Sequence, residues 1–159
     1  MFKALLTWPV LLVLVTILPA VGQRSSPASQ QAAEIETLVN KAAEILESQG
    51  RKAFEEFRKK DGPWRYGDVY LFVVDMQGIV LFNAARPNRE GRDLLNDRDA
   101  DGKQFNREFL KVVRKFGSGW VDYMFPKPGQ STPTVKWSYV RGTRVDGVEA
   151  LVGAGVYVD

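Results

Sequence analysis

The spacing of apolar residues in this chain changes from a helical period before residue 60 to a strand period after residue 68. The apolar stripe of the first part recurs every three or four residues: Ile35, Leu38, Val39, Ala42, Ile45, Leu46, Ala53, Phe54 and Phe57. Gly50 interrupts the stripe, and Asp61-Gly62-Pro63 ends it. The pattern predicts one long bent helix, or two helices in series, starting near Gln31.

The second part of the chain predicts strands. Two apolar runs, at residues 69–74 and 79–82, flank the turn Asp75-Met-Gln-Gly78 and indicate a β-hairpin. Both faces of this hairpin are apolar, so we expect it to lie centrally in its sheet. A short helix at residues 105–116 and three more strands, near 120–125, 134–140 and 148–158, follow. The fold class is therefore α+β, with a five-stranded antiparallel sheet and a long N-terminal helix.

Residues 84–102 contain many charges and one apolar pair, Leu94-Leu95. We expect a long ordered loop that is held in place by this pair. Long loops of this kind are often functional.

The N-terminus predicts export. An apolar run follows Lys3, and small residues at 20–22 precede Gln23, as in a signal peptide cleaved after residue 22. The alternative is a retained membrane anchor. Residues 23–30 are polar and predict a flexible leader, which leaves residues 31–159 as a single domain. The strand-like run before Asp159 is the last segment, so we expect a periplasmic or secreted domain without an output module of its own.

Composition excludes several kinds of function. The chain contains no cysteine and no histidine, which removes disulfides, thiol catalysis and the commonest general base and transition-metal ligand. We therefore expect a protein that is not an enzyme and that needs no cofactor. Without residues 1–22 the formal charge is +2, and the basic residues are scattered, so a nucleic-acid partner is not expected.

One acidic pattern matches the calcium-loop template. Asp97, Asp99, Asp101 and Glu108 occupy the first, third, fifth and twelfth positions, with Gly102 at the sixth. The alternative is that Asp101 or Gly102 starts the helix at residues 105–116 and that the acids favour its N-terminal dipole. We favour the helix start over calcium.

A lysine in a predicted central strand is the second candidate site. Alternation places Lys136 and Ser138 on one face of the strand, among apolar neighbours. Lys136 and Ser138 could bind the carboxylate of a small ligand, with Phe72, Phe82 and Trp120 as walls. Alternatively, Lys136 extends to solvent at a sheet edge and the aromatic residues form ordinary core. Spacing alone leaves both readings open.

The chain resembles the single Cache domains, type 2, of bacterial extracytoplasmic sensors. The matching segments are Val69–Phe82, Gly91–Leu95, Asp101–Phe105, Gly119–Tyr123, Pro126–Pro128, Val135–Val140 and Gly153–Asp159. The resemblance implies a PAS-like sheet whose pocket binds small molecules, often short carboxylates such as acetate, propionate, pyruvate or lactate. Carried over to this sequence, the ligand-binding candidates are Tyr70, Phe72, Phe82, Asn83, Trp120, Tyr123, Lys136 and Ser138. Asn83 stands where many relatives carry histidine.

The first functional hypothesis is a sensor-type domain that binds a small organic anion and acts on a separate membrane receptor or signalling protein. An enzyme is the second, with little support. The third is an assembly module that forms a homodimer through the helix of residues 31–60, in which Ala42, Ala43 and Ala53 would permit close helix packing.

Overall fold

The computed structural model describes residues 27–158. The helices and strands of this part are α1 (Ser29–Gln49), α2 (Ala53–Arg58), β1 (Arg65–Tyr66), β2 (Val69–Tyr70), β3 (Phe72–Asp75), β4 (Val80–Asn83), α3 (Phe105–Phe116), β5 (Ser118–Pro126), β6 (Pro133–Val145) and β7 (Val148–Val158). Short 3-10 turns cover Gly50–Lys52 and Pro87–Arg89. The predicted signal peptide lies outside the described residues. Of the predicted leader, residues 23–26 also lie outside them, and α1 begins within its remainder, two residues before the expected start at Gln31.

The N-terminal helix bends where the sequence predicts. Gly50 separates α1 from α2 and has a φ of 58°, a backbone conformation that glycine adopts without steric cost. A Cβ atom at this position would collide with the Asp146 carboxylate in the turn between β6 and β7. The glycine therefore permits both the bend and the close approach of this turn.

The apolar stripe of α1 and α2 packs against the sheet of its own domain. Ile35, Val39, Leu46 and Phe57 are fully buried in one cluster with residues of β3 and β7. Ala42, Ala43 and Ala53 belong to the same cluster and are at most 2% exposed. These alanines therefore face the sheet, and the prediction that they pack against a second copy's helix is wrong.

The five-stranded antiparallel sheet is confirmed, with strand order β4-β3-β7-β6-β5. Asp75 closes the predicted hairpin, because its Oδ1 accepts hydrogen bonds from the backbone N–H groups of Gln77 and Ile79, both at 2.9 Å. The expectation that the whole hairpin lies centrally is wrong for β4, which is an edge strand. Its apolar residues are buried because the following loop covers this edge: Val80 N–H donates to Arg92 O at 3.0 Å.

Two layers cover the two faces of the sheet. Helices α1 and α2 cover one, here called the α1 face, and α3 covers the other, here called the α3 face. Strand β6 alternates between them, with Lys136 and Ser138 on the α3 face and Trp137 and Tyr139 on the α1 face. Among residues 27–158, no helix is both long enough and apolar enough to cross a bilayer.

The loop of residues 84–104 connects the two edges of the sheet. It pairs with β4 through Arg92, and at the other edge Asp99 Oδ2 accepts the backbone N–H of Met124 in β5 at 2.8 Å. Leu94 is 2% exposed and anchors the loop among the residues of α3, as the sequence predicts. The loop is therefore ordered and helps to close the α3 face.

Candidate functional site

Lys136 is the only cationic residue among the buried residues that the structure describes, at 1% exposure. Its Nζ atom has no hydrogen-bond partner and no ion pair. Five aromatic rings surround the ammonium group, with centroid distances of 4.0 Å to Tyr70, 5.1 Å to Tyr157, 5.6 Å to Phe125, 5.7 Å to Phe72 and 6.0 Å to Tyr123. Ring faces stabilise a cation, but a buried charge without an anion remains costly. The alternative that Lys136 extends to solvent is therefore wrong.

The tyrosines around Lys136 interact with it electrostatically. Burial by itself lowers the pKa of the Lys136 ammonium, but the Coulombic effects of Tyr123 and Tyr70 outweigh it and raise that pKa above the ordinary value. Burial alone would raise the pKa of Tyr70, and the Lys136 charge reverses this and lowers it. Burial raises the pKa of Tyr123. The raised pKa keeps Lys136 in its charged form near neutral pH.

A small cavity of about 30 Å³ lies against four of the five rings that surround this ammonium. Its walls are formed by Tyr70, Phe72, Val74, Val80, Asn83, Arg89, Phe105, Asn106, Phe109, Tyr123 and Phe125. None of these described residues is acidic. A cavity of this size holds about two water molecules. The site thus combines an apolar wall with a few polar groups, which is typical of a small-molecule site, and it carries an excess of positive charge.

Strand register places the polar groups of this site together. Tyr123 pairs directly with Lys136, and the Tyr123 hydroxyl lies 3.0 Å from Ser138 Oγ on the same face. Gly155 of β7 pairs with Ser138, and a Cβ atom there would collide with Ser138 Oγ and the Trp137 carbonyl oxygen. The glycine therefore leaves the space in which the Ser138 hydroxyl meets Tyr123.

Two polar residues come from the far side of the sheet and the long loop. Asn83 of β4 pairs with Phe72, is 7% exposed, and accepts the backbone N–H of Arg86 at Oδ1 at 2.8 Å. Arg89 contacts Asp97 through Nη2 and Oδ2 at 3.2 Å. The Arg89 guanidinium group also lies 5.4 Å from the Phe125 ring centroid.

The structure brings six of the eight predicted site residues together. Four of them line the cavity, Lys136 contacts the aromatic wall, and Ser138 hydrogen-bonds to Tyr123. The four lining residues are Tyr70, Phe72, Asn83 and Tyr123.

Phe82 and Trp120 do not wall the cavity, and that prediction is wrong. Phe82 stacks on Phe54 of α2 at 4.6 Å, and Trp120 donates its indole N–H to Glu36 of α1 at 2.7 Å. Both therefore lie on the α1 face. Strand alternation explains the error, because Trp120 is an odd number of residues from Tyr123.

Sequence reasoning missed several cavity residues. Phe125 is two positions from Tyr123, so alternation could have placed it on the same face. Phe105 and Phe109 were assigned to α3, but the sequence gives no sign that their rings close a cavity. Arg89 comes from a loop, where no periodicity indicates which way a side chain points.

The acidic residues of the calcium pattern do not form a metal site. Asp99 uses Oδ1 to accept the backbone N–H groups of Asp101 and Lys103, at 3.0 and 2.8 Å, and Asp97 contacts Arg89. Within residues 27–158, no three His, Cys, Asp or Glu side chains lie close enough together to hold a metal ion. The alternative helix start at Asp101 or Gly102 is also wrong. Helix α3 begins at Phe105, and the acid at position 99 stabilises the preceding loop instead.

A larger open groove of about 620 Å³ lies outside the candidate site, on the outer side of α1 and beside the segment Pro63–Tyr66. Ala33, Leu38 and Trp64 are among its lining residues. We place the functional site at the smaller cavity, because that is where a buried charge lacks a partner.

Comparison with known proteins identifies domains of the same fold. The Cache domain family model, dCache_2, matches residues 20–159. The solved periplasmic sensor domain of a chemotaxis protein is 34% identical and has a TM-score of 0.68, covering 82% of this chain and 96% of that one. A Cache chemosensory domain, solved to explain carboxylic acid recognition, is 28% identical with a TM-score of 0.66, covering 82% and 92%.

Among curated proteins, methyl-accepting chemotaxis protein McpP of Pseudomonas putida is 35% identical over 92 residues. The alignment covers 58% of this chain but only 16% of McpP. The similarity therefore concerns only a part of that protein.

The fold, the family match and the similarity to periplasmic sensor domains agree with each other and with the expectation of a binding module that is not an enzyme. This chain belongs to the Cache domain family of non-catalytic ligand-binding sensor domains.

Proposed function

We propose that this domain is a periplasmic sensor module that binds a short-chain carboxylate in the cavity beside Lys136. The observation that carries the proposal is the Lys136 ammonium, which is 1% exposed and has no anionic or hydrogen-bonding partner among the described residues. A ligand carboxylate supplies the missing negative charge. Such a charge-assisted hydrogen bond is stronger than a neutral one, and more so away from water.

The size of the cavity limits the ligand. A volume of about 30 Å³ leaves no room for a long chain, so we infer a ligand of the size of acetate or propionate, bound with slight expansion of the aromatic wall. The apolar part of the ligand lies against Phe72, Phe105 and Phe109. The similar Cache domain that recognises carboxylic acids supports this ligand class.

Two hydroxyl groups complete the proposed site. Ser138 and Tyr123 share one hydrogen bond, in which either oxygen is able to donate. When Ser138 donates within the pair, Tyr123 keeps its own proton, which is then available to the ligand. Tyr123 lines the cavity and contacts the ligand directly, and Ser138 fixes its orientation.

The location and output of the domain remain proposals. The similar solved domain is periplasmic, and the sequence predicts a cleaved signal peptide at residues 1–22, so we propose that the domain acts in the periplasm or is secreted. A separate membrane receptor or signalling protein would then transmit the binding event.

Calorimetric titration of the protein with acetate, propionate, pyruvate and lactate tests the proposal. We expect saturable binding of at least one of them, and a loss of about a hundredfold or more in affinity for Lys136→Met, because the neutral thioether keeps the volume but not the charge. Lys52→Met is the matched control, since Lys52 is exposed in the 3-10 turn. No binding by the wild-type protein, or equal binding by Lys136→Met, contradicts the proposal.

The alanines of the N-terminal helix no longer support a homodimer through α1, because they are buried against the sheet. A homodimer remains an alternative for the open groove beside α1. Light scattering with and without acetate measures whether a dimer forms.

A further inference from the structure

We propose that Arg89 is a second anion-binding residue of this site and that Asp97 is an internal substitute for the ligand carboxylate. The inference rests on the proposed function, since it assigns a further residue to the same cavity. It starts from position: Arg89 lines the cavity, although it comes from the 3-10 turn of the long loop and not from the sheet.

Phe125 connects the two cationic groups. The Arg89 guanidinium carbon lies 5.4 Å from the Phe125 ring centroid, and the Lys136 ammonium nitrogen lies 5.6 Å from the same centroid. One aromatic wall of the cavity is thus in contact with both cations. A carboxylate has two oxygens, and in the proposed complex one anion beside this ring accepts from both groups.

The existing partner of Arg89 is weakly held. The Arg89 side chain is 19% exposed, but that of Asp97 is 41% exposed, and a single Nη2 to Oδ2 contact of 3.2 Å joins them. A guanidinium group has five N–H donors and fits a carboxylate best with two parallel bonds. The Asp97 carboxylate therefore leaves donor capacity unused.

Exchange of one carboxylate for another costs little here. When the ligand arrives, Asp97 returns to water, where its exposed position allows it to be hydrated, and Arg89 keeps an anionic partner throughout. Without ligand, Asp97 thereby neutralises Arg89, so that Lys136 is the only uncompensated cation of the site. In turn, Asp97 competes with the ligand for Arg89. Removal of its charge should strengthen ligand binding.

The consequence is selectivity for planar carboxylates. An ammonium group alone binds any small anion as a point charge, whereas a guanidinium group matches the two coplanar oxygens of a carboxylate. Lys136 then supplies most of the binding free energy, and Arg89 discriminates acetate from anions of other shapes.

The experiment is calorimetric titration of the full chain with acetate and propionate, using Arg89→Ala, Arg89→Lys, Asp97→Asn and the double variant. We expect affinity to fall at least tenfold in Arg89→Ala, to recover only partly in Arg89→Lys, and to rise several-fold in Asp97→Asn. In the Arg89→Ala background, Asp97→Asn should have no further effect, because Asp97 acts through the guanidinium group.

Arg92→Ala is the matched control, since it removes the same charge from an exposed position of the same loop, and it should stay within twofold of wild type. Circular dichroism establishes that each variant is folded. Binding by wild type and by Arg89→Ala with equal affinity, while Lys136→Met fails to bind, overturns the role of Arg89 and leaves the proposed function intact. If Asp97→Asn still raises the affinity in the Arg89→Ala background, the proposed exchange of carboxylates on Arg89 is overturned. Absence of binding by wild type overturns both.

Discussion

The two faces of the sheet differ in how their buried polar and charged groups are paired. On the α1 face, the buried side chains are mostly apolar, and the polar groups of Trp120 and Thr143 are paired, Trp120 with Glu36 and Thr143 with the Ala43 carbonyl. On the α3 face, Lys136 is equally buried and has no partner. One face is built for stability, and the other keeps an unsatisfied charge where a ligand can neutralise it.

The two faces also differ in what they contribute to the stability of the fold. The α1 face stabilises the fold through close packing of residues such as Leu46 and Phe57, which are fully buried. The α3 face stabilises the fold less, because it buries a cation away from water and contains a small cavity. The difference suggests that substitutions on one face should change stability without binding, and substitutions on the other should change binding.

The largest expected effect on stability is on the α1 face. Leu46→Ala removes a side chain with 0% exposure and should lower the free energy of unfolding by about 2–5 kcal/mol. Urea denaturation measures it, with the half-buried Leu38→Ala as a control of smaller effect. Acetate affinity of the folded fraction should stay within twofold, and a large loss would mean that the faces are not independent.

Gly153→Ala should affect both properties. Gly153 lies on β7, and a Cβ atom there would collide with the Phe72 ring and press on Val140. We expect a destabilisation of about 1–3 kcal/mol from overpacking, together with weaker acetate binding because Phe72 is displaced towards the cavity. Ala154→Gly, the neighbour on the α1 face, should destabilise without weakening binding. Unaltered affinity in Gly153→Ala would show that Phe72 does not shape the ligand site.

Lys136→Met, unlike the two preceding substitutions, should stabilise the fold. Replacing an unpaired buried ammonium by an apolar side chain should raise the free energy of unfolding by on the order of 1 kcal/mol, although ligand binding is lost. Thermal denaturation without ligand measures the gain. A clear decrease in the melting temperature would mean that the aromatic rings stabilise the cation more than its burial costs.

The smallest effect is expected from pH near neutrality. The chain has no histidine or cysteine, and the pKa of Lys136 is raised, so the ammonium is charged below its ordinary value of 10.5 and loses its charge only as pH rises through the raised value. Acetate affinity should therefore be constant between pH 6 and 8.

Affinity should fall as the pH rises through the pKa of Tyr70, which is lowered from its ordinary value of 10.0, because the phenolate then competes with the ligand for Lys136. Tyr70→Phe should shift this fall to higher pH, which titrations at several pH values would reveal. A change of affinity between pH 6 and 8 that persists in Tyr70→Phe would point to a group outside the described cavity.

Part of the site was predictable from the sequence. Strand alternation assigned Lys136 and Ser138 to one face, and the same rule, applied to β5, excludes Trp120 and includes Phe125. The resemblance to Cache domains supplied Tyr70 and Asn83. Arg89 was beyond this reasoning, because a loop side chain is positioned by contacts with distant residues such as Phe125 and Asp97.

The sequence by itself determined the order of the helices and of the five strands of the main sheet, and the break at Gly50, since these follow from local periodicity and turn residues. Only the tertiary structure decided which strand lies at the edge, that the alanines of α1 face the sheet, and that Lys136 has no partner. The physical reason is that periodicity fixes the face on which a side chain lies, but burial and pairing depend on which distant residues that face meets.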